Sequence, residues 1–573
     1  MGKLFPILSR MNHRVLGRLL VLSLCLTSAS CGSSSIGVAG TTTTSSTSTT
    51  ILPQMTQLAF PVPYLPQNFN PNTPAGDQSV TRQIMANVWP SVFYENSKYQ
   101  PVLNSTLMDS AELVSTNPEE IVYKINPKAV WSDGVPISAA DFIFNWKAQA
   151  GSGKLLDASN APFLANSTIG YSDIKSIKSS NGGKTATVVF QKYFSEWESL
   201  FQPLVPAHIA ERVGWNAGFE LATPTVEVAG GPYEIDKVIP GKEVTLNRNP
   251  RYWGKKAVIS QIKFVDDPNP TQYAAQMADG SLNLIDSPST DLLYSDLKVL
   301  PNVVVHLVPS SSIQELIFNL SSAPLSDPKV RQAIALGIDR QAITASVLGS
   351  YDAGAKPAGN NIFQPGLQQY QDNGKSFLTA DPSRAVATLI ADGYKRSISG
   401  IMTKNGQPLV LKIAVDSGNE QLLYVEELIT EELSAIGIVV NPVNFPASVL
   451  QSSVLSKGDF DMAIVSESAS PNAAFHVSRY QSKSNGSGGN YSRYSSKQAD
   501  SLIRSAASEL DPASSDLVYN ELDQLIWKNL PTIPLYSIPD VIAYNAGYNF
   551  IGNSTSSSTI FWNAGAWSYT PAQ

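Results

Sequence analysis

"LVLKIAVDSGNEQLLYVEELITEELSAIGIVVNPVNF", residues 409–445, decides the fold class. Leu409 to Asp416 is an apolar run of strand length, rich in β-branched residues. From about Glu420 the pattern changes period. Leu422, Val425, Leu428, Ile429, Leu433 and Ile436 fall on one face of a helix. Gly437 ends it, and Ile438 to Phe445 reads as a second strand. A strand, a helix and a strand at this spacing predict a parallel pair, because the helix carries the chain back to the same end of the sheet. The expectation is an α/β lobe.

Working outward, the flanking segments show the same punctuation. In "LSDPKVRQAIALGIDRQAITASVLG", Asp327 caps one helix with Pro328 at its first position, and Asp339 caps another. Residues 231–254 predict two strands around the Pro240-Gly241 turn. "DIKSIKSSNGGKTATVVF" predicts a hairpin turning at Asn181-Gly182-Gly183. Ahead of it, Ile121 to Ile125 alternates as a strand, and Trp131 to Gly134 is a turn. Ser138 and Asp141 then form a capping box before an apolar helix. Residues 51–95 read as irregular and strand-like.

The amino-terminal fifty residues cannot join that body. Lys3, Arg10, Arg14 and Arg18 are followed by a short apolar run, Leu19 to Leu26, and then by small residues. The first acid is Asp77. This predicts a secretory leader over 1–30, too short to span a bilayer. "SASC", ending at Cys31, resembles a bacterial lipobox, which implies that Cys31 becomes the lipidated first residue; Ser28 departs from the usual Leu. Cys25 lies within the leader, so the body has no cysteine to oxidise. Gly32 to Thr50 has no charge, aromatic residue or period. With Cys31 it forms a flexible tether over 31–50, spanning about 24 Å.

The 573-residue chain exceeds one hydrophobic core, so two or three lobes are expected. A formal charge of −7, more acidic once the leader's four cations are removed, argues against nucleic acid and anionic membrane as partners. The expected membrane contact is the anchor alone. Beyond the leader there are three histidines, His208, His306 and His476, with no H-E-x-x-H and no Cys/His cluster, so no metal site or cofactor is expected. G-x-S-x-G is absent. The "GGKT" at Gly182 to Thr185 lacks the first glycine of a phosphate loop and lies in a hairpin. No catalytic residues are assigned. A large tethered α/β protein without a nucleophile suits capture of a solute by closing lobes.

Three long stretches carry a resemblance. "WSDGVPISAADFIFNWK" (131–147), "GPYEIDKVIPGKEVTLNRNPRYW" (231–253) and "LIFNLSSAPLSDPKVRQAIALGIDR" (316–340) stand in the order found in ABC-importer solute-binding proteins of the oligopeptide, dipeptide and nickel-binding family. "GDFDMAIVSES", "NYSRYSSKQADSLI" and "LPTIPLYSIPD" follow, also in order. The resemblance implies a two-lobe periplasmic-binding-protein-like α/β fold with an extra subdomain. It places lobe I in 51–95, 225–309 and 537–573, the subdomain in 96–224, and lobe II in 310–536, with crossovers near "HLVPSSS" and "PLYSIPD". It implies a monomer that hands its ligand to an ABC permease. Peptide-binding members carry an acid four residues before a proline, after the G-D-F-D strand; here Glu467 precedes Pro471. Glu467 is therefore the candidate partner of a peptide α-ammonium. The family's usual G-W before it is replaced by Ala463-Ile464, and Trp89-Pro90-Ser91 stands where E-G-L is common. Nickel chelates, sugars and haem-like compounds stay open as ligands, as do a non-transport scaffold and a secreted hydrolase as functions. Trp131, Gly134, Gly231, Tyr233, Pro250, Tyr252, Trp253, Arg331 and Arg340 are read as architecture: turns, aromatic packing and ion pairs.

Overall fold

The computed structural model describes residues 56–96, 100–151, 156–158, 160–220, 228–310, 312–468, 473–482, 489–549 and 559–570. The leader, Cys31 and the tether lie outside them. The body is a two-lobe α/β fold.

The stretch at 409–445 folds as read. Val410–Asp416 pairs in parallel with Val439–Phe445. The Glu420–Ala435 helix between them starts at Asn419, whose side chain accepts from Leu422 N, and buries Leu422, Val425, Ile429 and Leu433. Gly437 follows at φ +85°, where a Cβ would stand 2.6 Å from Gly400 O; only glycine ends the helix there without strain. These strands belong to a five-stranded sheet ordered Val439–Phe445, Val410–Asp416, Met462–Ser468, Ser312–Phe318 and Thr532–Ser537. The Ser312–Phe318 strand is covered on both faces, every residue after Ser312 being buried. It runs antiparallel to both its neighbours.

A second group of sheets is built from distant parts of the chain. Gln57–Val62, Gln261–Asp266, Glu243–Arg248 and Tyr233–Ile239 form one. Leu284–Pro288, Asp540–Asn545 and Val303–Val308 form another. A four-stranded antiparallel sheet, Met108–Thr116, Glu119–Ile125, Thr185–Phe190 and Ile174–Ser180, contains the expected hairpin. The core of this four-stranded sheet is continuous with that of the Gln57–Val62 sheet, whereas the five-stranded sheet has a core of its own. The chain crosses between the two groups twice. Val303–Val308 is followed by Ser312–Phe318, and Thr532–Ser537 by Asp540–Asn545; in each pair the strands lie in different sheets.

The strand-like reading of 51–95 holds for Gln57–Val62, but a helix, Ser79–Met85, forms there as well. The helix has no side-chain cap, so the sequence carries no start signal. Ser138 caps Ala139–Gln149 with Asp141 as the reciprocal partner, as expected. Gly231 packs so closely that a Cβ would meet Asn87 O at 2.1 Å, which explains the first residue of the G-P-Y stretch.

Candidate functional site

The Met462–Ser468 strand runs towards the crossovers. Ile313 stands opposite Glu467, and Glu315 opposite Val465. Residues two apart on a strand share a face with the residues opposite them, so Glu315 and Glu467 are diagonal neighbours on one face. Arg479, from the short 3₁₀ turn Val477–Tyr480, reaches both. Its Nη2 lies 2.8 Å from Glu315 Oε2 and its Nη1 3.3 Å from Glu315 Oε1. The same Nη2 is 3.4 Å from Glu467 Oε1. Glu315 is fully buried and Arg479 is 5% exposed, while Glu467 keeps 26% of its surface.

The charges follow from that geometry. Burial pushes the Glu315 carboxyl up; the two-oxygen contact with Arg479 offsets this only in part, and Glu467 adds to the push. Burial works against the charge of Arg479 too, but Glu315 and Glu467 hold it more firmly protonated than an ordinary arginine. His476 adds no charge. Its Nε2 lies 3.0 Å from Asn361 O and 3.3 Å from Arg479 Nη1. Burial, then the nearby guanidinium, push its pKa down to about 3. Two carboxylates thus face one guanidinium, and Glu467 is the exposed member of the three. Its strand ends at the crossovers, where Ser468 stands opposite Ser312.

The sequence singled out Glu467 but neither Glu315 nor Arg479, which lie 164 positions apart. The signature arginines are architectural, but not as ion pairs. Arg340 donates to the carbonyls of Phe377, Ala358, Pro534 and Gly374, and stacks 4.9 Å from the ring centre of Trp527. Arg331 donates to the carbonyls of Asn529, Leu325 and Ser326. A guanidinium has five N–H groups, and folded loops leave carbonyls that helices and sheets do not use; here these satisfy one another. Trp131 and Tyr233 are fully buried, and Trp253 Nε1 donates to Thr106 O. Ala463, Ile464 and Trp89 are core residues. Among the described residues there is no group of three or more His, Cys, Asp or Glu placed to hold a metal. No helix among them is long and apolar enough to cross a membrane.

Known proteins share this fold. The profile of the bacterial extracellular solute-binding proteins, family 5 (middle region), matches residues 103–489. The oligopeptide-binding protein OppA of Mycobacterium tuberculosis is 28% identical over 495 residues, covering 83% of this chain and 79% of that protein. An uncharacterised lipoprotein of the same organism is 25% identical over 543 residues, covering 87% and 90%. Among solved structures, the periplasmic EDTA-binding protein EppA superposes with a TM-score of 0.83 at 25% identity, covering 90% of this chain and 97% of that one. The chain belongs to the bacterial extracellular solute-binding proteins of family 5, and it is a binding protein rather than an enzyme.

Proposed function

We propose that this protein captures peptides outside the cytoplasm, held to the membrane through a lipid on Cys31, and delivers them to an ABC permease. Lobe I comprises 51–95, 225–309 and 537–573, with 96–224 as its subdomain, and lobe II comprises 310–536. They close about the crossovers at Val308 to Ser312 and Leu535 to Pro539. The observation that carries the peptide assignment is the partly exposed carboxylate of Glu467 beside the Glu315–Arg479 pair. A peptide's α-ammonium loses its water on closure and needs an anionic partner. A carboxylate that shares its one neighbouring cation with Glu315 offers one. The same carboxylate disfavours polyanionic chelates as ligands. Likeness to OppA supports the reading.

The test is a double cycle by calorimetry. A peptide identified by mass spectrometry of the purified protein is compared with its N-acetylated form, on the parent and on Glu467→Gln. A charge-assisted hydrogen bond contributes about 1.5–3 kcal/mol, or about 10- to 150-fold in affinity. Acetylation then weakens the parent by that factor and the variant far less. Equal losses in both proteins exclude Glu467 from the site.

A further inference from the structure

One loop, residues 193–199, leaves the four-stranded sheet and touches the lobe built on the five-stranded one. The Tyr193 hydroxyl donates to Leu510 O at 2.7 Å. The Ala474 N–H donates to Glu196 Oε1 at 3.2 Å. The other oxygen, Oε2, is sealed from solvent and has no hydrogen-bond partner among the described residues. Among the described residues no cation forms an ion pair with Glu196. The helix Pro512–Asn529 presents Asp516 and Tyr519 to it, with Asp511 at its cap. On its own loop stands Glu198, partly buried. His476 and Arg479, just beyond Ala474, are engaged by Asn361 and by Glu315.

An ionised carboxylate with one sealed, unpaired oxygen, facing a second carboxylate, is costly. A proton removes both costs. When the lobes part, water solvates the group and the charged form is restored. We propose that Glu196 is a proton-operated latch between the lobes, taking up a proton as they shut and releasing it as they open. Acid then favours the closed receptor and alkali the open one. With the loop against the other lobe, burial, reinforced by Asp516 and only partly offset by the Ala474 N–H, pushes the carboxyl up to about 7. Asp516 is itself pushed up to about 6, by burial and by Asp511. Because the value is raised in the shut form, the closed-to-open ratio is highest in acid and falls as pH rises towards 7. The change between pH 5 and pH 8 is up to about 70-fold.

The latch rests on lobe closure but not on the ligand, so its test uses none. Spin labels at Lys178→Cys and Glu521→Cys, exposed on the Ile174–Ser180 strand and the Pro512–Asn529 helix, report the gap between lobes. Cys25→Ser and Cys31→Ser clear the full chain of other thiols. Double electron–electron resonance on the ligand-free protein is expected to give more of the short distance at pH 5 than at pH 8. Glu196→Gln, neutral at every pH, is expected to hold the short distance at both. Asp516→Asn, which leaves Glu196 in place, narrows the contrast. A parent without contrast, or a Glu196→Gln chain that keeps it, overturns the latch. A full contrast in Asp516→Asn overturns it as well, even if Glu196→Gln fails to fold. The peptide assignment stands or falls separately.

Discussion

Replacing Arg479 with Met removes the cation between Glu315 and Glu467 while keeping most of the side chain's apolar stem. The loss is therefore electrostatic rather than a cavity. Glu315 is fully buried and meets Arg479 at 2.8 and 3.3 Å. Removing one member of such a pair costs about 3–5 kcal/mol, because the other charge is left bare in a low dielectric. The stranded carboxyl escapes by binding a proton. Its folded value then lies far above that of an unfolded Glu, about 4.3, so stability falls by about 1.4 kcal/mol for each pH unit climbed between the two. The deficit is about 1 kcal/mol at pH 5 and about 3–5 kcal/mol at pH 8. For a unit of lobe size, each kcal/mol is worth about 2–4 °C in Tm. Calorimetric melting of the ligand-free protein should show Arg479→Met about 6–20 °C below the parent at pH 8 and only about 2–4 °C below it at pH 5. Adding Glu315→Gln neutralises the stranded group and recovers most of the loss. An equal deficit at both pH values, or a double variant no better than the single one, refutes the reasoning.

Cys31→Ser is expected to move the protein from membranes to the soluble fraction, since stable attachment needs more than one acyl chain and a bacterial lipid-modified cysteine carries two or three; retention on salt-washed membranes, read by immunoblot, contradicts the anchor. Ser138→Ala should cost about 1 kcal/mol in denaturant unfolding, because Ser138 Oγ accepts from Ala140 N at 3.3 Å and Ser138 N donates to Asp141 Oδ2 at 2.9 Å; no change would mean the box contributes nothing. Burial pushes the Asp286 carboxyl up to about 7, and burial together with Asp286 pushes up Asp540 at the second crossover. Stability is then lost as pH rises from about 4 towards 7, so Asp286→Asn should gain Tm relative to the parent between pH 5 and pH 8, and a constant difference between the two would count against it.

What the sequence alone determined is what neighbours along the chain decide. Asn419, Asp327, Asp339 and Ser138 start helices because their side chains reach N–H groups two or three residues away. Gly437 and the 181–183 turn stop or reverse the chain through their own backbone angles. The parallel pairing of Val410–Asp416 with Val439–Phe445 needed only one helix between them. The uncapped Ser79–Met85 helix carried no such local signal and escaped notice. Only the tertiary structure decided the rest. It placed Met462–Ser468 between Val410–Asp416 and Ser312–Phe318, and so set Glu467 beside Glu315. It turned Arg331 and Arg340 towards carbonyls instead of carboxylates. It brought Glu196 to Ala474 across 278 positions. Periodicity and capping act over a few residues, whereas a charge finds its partner through strand order and lobe contact, and those depend on how the whole chain packs.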